Sequence, residues 1–272
     1  MATPFICTAC GTQFPPADQP PPCCPICQDE RQYVPESGQN WTTLEQLSQS
    51  RKALLKEEHG LLGIGCAPDF AIGQRALLLP TPAGNILWDC IAFLDATLLR
   101  VIQALGGLAG IAISHPHYYT TMLEWSRAFG GVPIHLHAAD REWVMRSGPE
   151  IAFWEGETHM IAPGVTLIRL GGHFSGGTVL HAAQAAEGRG ALLSGDILQV
   201  VPDRRHVGLM RSYPNLIPLG AAAVRRMGEA IEAWDFDAVY GAFWGRVIPQ
   251  GGRQAVTESV GRHIAHLHRD RP

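Results

Sequence analysis

No stretch of this 272-residue chain reaches the ~18–20 uninterrupted apolar residues that a membrane-spanning helix requires. The nearest candidate, residues 102–113, is short, broken by glycines and runs into His115, so it reads as a buried segment. The first residues, Met-Ala-Thr-Pro-Phe-Ile-Cys, hold neither a basic region nor a long apolar run, and no secretory signal is expected. A large charge imbalance is missing too. With 21 basic and 25 acidic residues, the formal net charge is −4. That balance exerts no general pull on nucleic acid or anionic membranes, and neither is an expected partner. Also absent is the even, dispersed cysteine set of a secreted disulfide scaffold. There are seven cysteines; most crowd into the N-terminal segment, while Cys66 and Cys90 stand alone. This usage suits metal ligation in a reducing compartment, so the expected location is the cytoplasm.

What the N-terminal segment does contain is two CxxC hooks, Cys7-Thr-Ala-Cys10 and Cys24-Pro-Ile-Cys27. A two-residue gap lets the backbone fold under a metal so that both thiolates point at it. Two hooks complete the tetrahedral sulfur site that zinc accepts in structural roles. Gly11 follows the first hook, where a tight turn calls for positive φ. The proline-rich stretch between the hooks cannot bury a core, and a unit this small needs a metal to stay folded. Cys23 sits beside the second hook, but Cys24 has the usual spacing to Cys27. The expectation is a structural zinc knuckle over residues 1–40 and a second domain over 41–272. The knuckle is read first as a folding staple and second as a docking surface for a protein partner.

Beyond it, Leu44, Leu47, Leu54 and Leu55 recur at three-to-four spacing, which predicts a helix over 41–60 capped by Thr42 or Thr43. Strands are predicted over 61–66, 75–79, 85–90, 108–114, 133–137, 165–170, 178–183, 191–194 and 238–240. Helices are predicted over 92–105, 119–129, 139–147, 219–232 and 254–268. Strand meanders, strand–helix alternation and a second meander suggest two mixed sheets packed together with helices outside.

Several of these strands run into polar, metal-capable residues. Strand 108–114 ends in His115-Pro-His117, strand 165–170 in Gly-Gly-His173-Phe-Ser-Gly-Gly, strand 191–194 in Gly-Asp196, and strand 85–90 contains Asp89 near its end. Strand-end loops are where α/β folds place ligands and chemistry. Three imidazoles and a carboxylate match first-row metal preferences, zinc above all.

In order and context these residues resemble the metallo-β-lactamase superfamily over roughly residues 60–250. The resemblance implies an αββα sandwich. It assigns His115 and His117 to the start of the family's His-x-His-x-Asp-His run, His173 to the third histidine, Asp196 to the bridging aspartate and Asp89 to a structural aspartate. The run's Asp and last His fall on Tyr119 and Thr120, and no histidine lies in Tyr-Gly-Ala-Phe-Trp-Gly (240–245), where the family's final ligand stands. All three losses belong to one of the family's two metals. The resemblance therefore implies a single zinc held by His115, His117 and His173, with Asp196 as fourth ligand or base and Tyr118 or Tyr119 offering a phenol. The functions implied are a metal-dependent hydrolase acting on a small ester, thioester or amide-type substrate, a non-catalytic metal-binding scaffold, or an iron-binding redox protein. Phe243 and Trp244 are expected to fill the vacated second-metal space, His135 and His137 to sit at a core edge, and Cys66 and Cys90 to be buried apolar groups.

Overall fold

The computed structural model describes residues 2–269. Two large sheets face each other. The first has seven strands in strict chain order: Lys52–Glu58, Leu61–Ala67, Ala76–Leu79, Ile86–Trp88, Gly110–Ala112, Ile134–His137 and Ile151–Trp154. Its first four strands form an antiparallel meander; the rest add in parallel. The second sheet runs Thr158–Ala162, Val165–Arg169, Thr178–Ala182, Ala191–Gly195, Ala238–Gly241 and Val247–Ile248.

Side-chain alternation explains the layering. Leu77, Leu79 and Trp88 meet Leu167, Leu180 and Leu193 between the sheets. Their neighbours turn outward, Leu78 and Leu87 toward the helix Ala96–Ala104, and Ile168, Val179 and Leu192 toward the helices Ala221–Glu232 and Gly252–His268. Strands covered on both faces read as continuous apolar runs, which is why these were legible. The result is the expected αββα sandwich.

The predicted helix over 41–60 needs correction. Thr43 does cap a helix, with a reciprocal capping box to Gln46, but that helix spans only Leu44–Ser50. Lys52–Glu58 is a strand paired with Leu61–Ala67. His59 and Gly60 both have positive φ and make the two-residue hairpin turn between them. A run such as Lys-Ala-Leu-Leu-Lys-Glu-Glu suits either structure, and the neighbouring strand decides it. The segment 139–147 forms a 3-10 turn, Ala138–Trp143, rather than an α-helix, and strands Ile151–Trp154 and Thr158–Ala162 had no clear signal.

The N-terminal residues fold into a small sheet of Thr3–Cys7, Gln13–Ala17 and Trp41–Thr42. Trp41 pairs with Cys7, so this sheet continues past residue 40. The unit lies against the sandwich: Gln13 N–H donates to Thr120 O at 3.1 Å, and the cysteine cluster packs on Ile72, Trp143 and Met145. Among the described residues, no helix is long and apolar enough to cross a membrane.

Candidate metal centre

Three chain segments deliver the cluster, each following a strand. His115 lies three residues beyond Ala112, and His117 sits in the 3-10 turn Pro116–Tyr118. His173 comes from the loop between Val165–Arg169 and Thr178–Ala182, and Asp196 directly follows Ala191–Gly195. Close packing holds these ends together. Thr178 N–H donates to Ser114 O at 2.9 Å across the two sheets. Asp89, buried, accepts from Ser114 N–H at 2.8 Å, the bracing role expected of it. Gly195 has φ +55, and a Cβ there would lie 2.7 Å from Ser114 Oγ. Gly172 has φ +79, and its Cβ would meet Met227 Sδ at 2.7 Å. Only glycine satisfies both demands at these two points.

The three histidines place one ring nitrogen each within 4.8 Å of the others. His173 Nε2 is 3.3 Å from His117 Nδ1, and His115 Nε2 is 3.2 Å from Asp196 Oδ1. A tetrahedral zinc with nitrogen bonds of ~2.0–2.1 Å has ligand–ligand edges of about 3.4 Å, so the spacing fits the ion. The outer nitrogens set tautomers: His173 Nδ1 donates to Met210 O at 3.2 Å, and His115 Nδ1 is 2.9 Å from Ser114 Oγ. Burial holds His115, His117 and His173 below the ordinary imidazole range. They are therefore neutral and carry lone pairs. Burial raises the carboxyl of Asp196, and it raises Asp89 to about 7.

The cysteine cluster fits zinc equally well. Cys7, Cys10, Cys24 and Cys27 are buried, with Cys7 and Cys27 sulfurs 3.6 Å apart and those of Cys10 and Cys24 3.7 Å apart. A tetrahedral site with Zn–S bonds of ~2.3 Å has edges of about 3.8 Å. Gln39 Nε2 donates to Cys7 Sγ at 3.1 Å. Hydrogen bonding from the other three thiols drives Cys7 strongly toward thiolate, while their proximity drives Cys10 up. Four buried sulfurs at this spacing could hold a metal ion. Cys23 lies outside the cluster, half-buried; Cys66 and Cys90 are buried in the core.

The second-metal positions have gone elsewhere. Tyr119 does not reach the cleft: its ring is buried with Met122 and Leu123 in the helix-side core. In a 3-10 turn successive side chains diverge by roughly 120°, so His117, Tyr118 and Tyr119 cannot share one direction. Tyr118 is the phenol beside the cluster, its ring centroid 4.4 Å from that of His115. Burial and the charge of Asp196 push it well above the ordinary phenol range, so it stays neutral. Phe243 lines the cleft, whereas Trp244 lies across Gly63 and Gly65. His137 is engaged by Gly156 O and Ala139 N–H, and the His135 ring lies tilted against His159; neither belongs to the cluster.

Three neighbours carried no motif. Phe174 touches all three imidazoles, with centroids 4.9–5.5 Å away. Tyr213 lies 5.8 Å from His173. Arg31, from the N-terminal unit, donates to His173 O at 3.4 Å.

The fold and this cluster define a metallo-β-lactamase-fold protein with a histidine-triad site able to hold a metal. The sandwich superposes on the DIM-1 metallo-β-lactamase with a TM-score of 0.57 at 11% identity, covering 78% of this chain and 98% of that one. It also superposes on TTHA1623, solved in a di-iron-bound form, with a TM-score of 0.50 at 20% identity, covering 68% and 93%. No family model matches the sequence. The chain belongs to the same family as the uncharacterized protein YmaE of Bacillus subtilis (strain 168): the two are 46% identical over 266 residues, which is 97% of this chain and 96% of YmaE.

Proposed function

We propose that the protein is a metal-dependent hydrolase, cleaving an ester, thioester or amide-type bond of a small molecule at a single zinc held by His115, His117 and His173. The observation that carries this reading is the convergence of three neutral imidazole nitrogens beside the Asp196 carboxylate. The second-metal positions, by contrast, hold Tyr119 and Thr120. Zinc in such a site supplies Lewis acidity, polarising a carbonyl and acidifying water. Asp196 is the carboxylate placed to accept a proton at the cleft floor. Tyr118 stays protonated beside the cluster. Arg31 stacks on Phe174 and Trp143 beside the site.

Elemental analysis tests the reading. Two zinc ions per chain are expected, one in each cluster, and His117→Ala should retain one and lose turnover of generic ester and lactone substrates. Three metals would refute single occupancy, and one would leave the histidine cleft empty. Metal bound without turnover would favour the alternative, a non-catalytic scaffold docking a protein partner on the outer face of its cysteine unit. Iron in place of zinc, the second metal reading, would show in the same analysis; TTHA1623 binds iron on this fold. A cytoplasmic location is part of the proposal.

A further inference from the structure

The cysteine unit does more than fold itself. Directly after its second hook the chain crosses the mouth of the histidine cleft, and it is pinned on both sides. On one side Arg31 is held by a two-pronged pair with Asp29 (2.5 and 2.9 Å), lies 3.8 Å above the Phe174 ring and 4.8 Å above Trp143, and donates to His173 O. On the other side Asn215 donates to Glu30 O at 2.9 Å and Gln32 O at 3.1 Å, and Arg211 pairs with Glu30 at 2.5 Å. Trp143 itself packs on the buried cysteines. A continuous chain of contacts therefore runs from the cysteine cluster to His173.

The cleft so enclosed measures about 500 Å³, and Thr8, Gln32, Tyr33 and Pro35 of the N-terminal unit line it together with His117, His173 and Asp196. That is the size of a small-molecule site. Arg31 is paired with Asp29, which leaves the Asp196 carboxylate as the acidic group of the lining. Ile72, Tyr213 and Phe243 add apolar surface to the lining. Tyr33, at the rim, keeps 55% of its surface exposed, and Val34 after it keeps 40%. Tyr33 therefore leaves ring surface at the rim of the cleft for a ligand to cover.

We infer that residues 29–35, carried by the four-cysteine unit, are the substrate-recognition wall of the histidine cleft, and that they select a substrate with an aromatic or bulky apolar group beside the scissile bond. This rests on the proposed metal in that cleft.

Two thiols test it on the full-length, cobalt-substituted protein: benzyl mercaptan and ethanethiol both ligate a cobalt ion through sulfur but differ in the aromatic ring. Benzyl mercaptan should bind more tightly. Tyr33→Ala should weaken it about tenfold, about 1.4 kcal/mol, and leave ethanethiol unchanged. Equal effects on both thiols, or no effect on either, would overturn the inference. So would a cobalt-loaded cleft that takes neither. Absence of cobalt from the histidines would instead sink the proposed function, and hydrogen exchange then decides the wall by itself. Arg31→Ala and Asn215→Ala, with cysteine-bound metal retained, should each lower amide protection at least tenfold at 171–177 and 210–218 as well as at 29–35. Loosening confined to 29–35 would mean the segment is an appendage and not a wall.

Discussion

Arg75 and Glu58 form an ion pair inside the protein, with side chains only 1% and 3% exposed. Arg75 also donates to Gly241 O at 2.8 Å, and Glu58 accepts from Gly245 N–H at 2.6 Å. The pair thus clamps the loop that carries Phe243 into the cleft. Replacing Arg75 by Leu leaves the Glu58 carboxylate buried and uncompensated, a loss of about 3–5 kcal/mol. Replacing both partners, Arg75→Leu with Glu58→Leu, removes the stranded charge. The remaining cost is two orphaned backbone groups on that loop, about 1–3 kcal/mol each where water cannot reach them. The double variant should therefore lose far less than the sum of the two single losses. Urea denaturation followed by far-ultraviolet circular dichroism of all four proteins completes the cycle. A single-variant loss under about 1 kcal/mol, or strictly additive losses, would refute the claim that the pair is dry and mutually dependent.

Gly172→Ala forces a side chain onto a left-handed backbone, about 1–2 kcal/mol, and against Met227 Sδ; it should displace His173 and lower metal content by one ion while the cysteine site stays full, and elemental analysis showing two retained ions would contradict the role given to this loop. His135 is held down to about 4 by burial, with His159 beside it adding to the effect, against 6.5 when unfolded. The unfolded chain therefore binds the proton first as pH falls: this contribution is complete above about 6.5 and is lost progressively toward pH 4. His135→Asn should flatten thermal stability across that window, and an unchanged pH profile would show that the ring is solvated.

The legible part of this protein was local chemistry. Two CxxC hooks predict a four-sulfur cluster because the spacing alone turns both thiols inward. Strand ends running into His115, His117, His173 and Asp196 announced a site because their order and context match a known family, and the order survives any packing. Apolar runs such as Ala-Leu-Leu-Leu at 76–79 declared strands buried on both faces. Legibility failed where a short segment had two acceptable structures or where direction mattered. Residues 52–58 carry helical spacing yet pair as a strand, because Leu61–Ala67 offers a complete ladder. Tyr118 and Tyr119 are adjacent and chemically identical; the pitch of one 3-10 turn decides that the first faces Asp196 and the second enters the core.

By itself the sequence determined which atoms are capable of holding metal and in which layers the chain folds, since both follow from residue type and short-range periodicity. Only the tertiary structure decided that the cysteine unit lies over the histidine cleft, with Arg31 against His173 from 142 positions away. Such a contact leaves no pattern along the chain, because it depends on the shapes of two surfaces that exist only once each has folded.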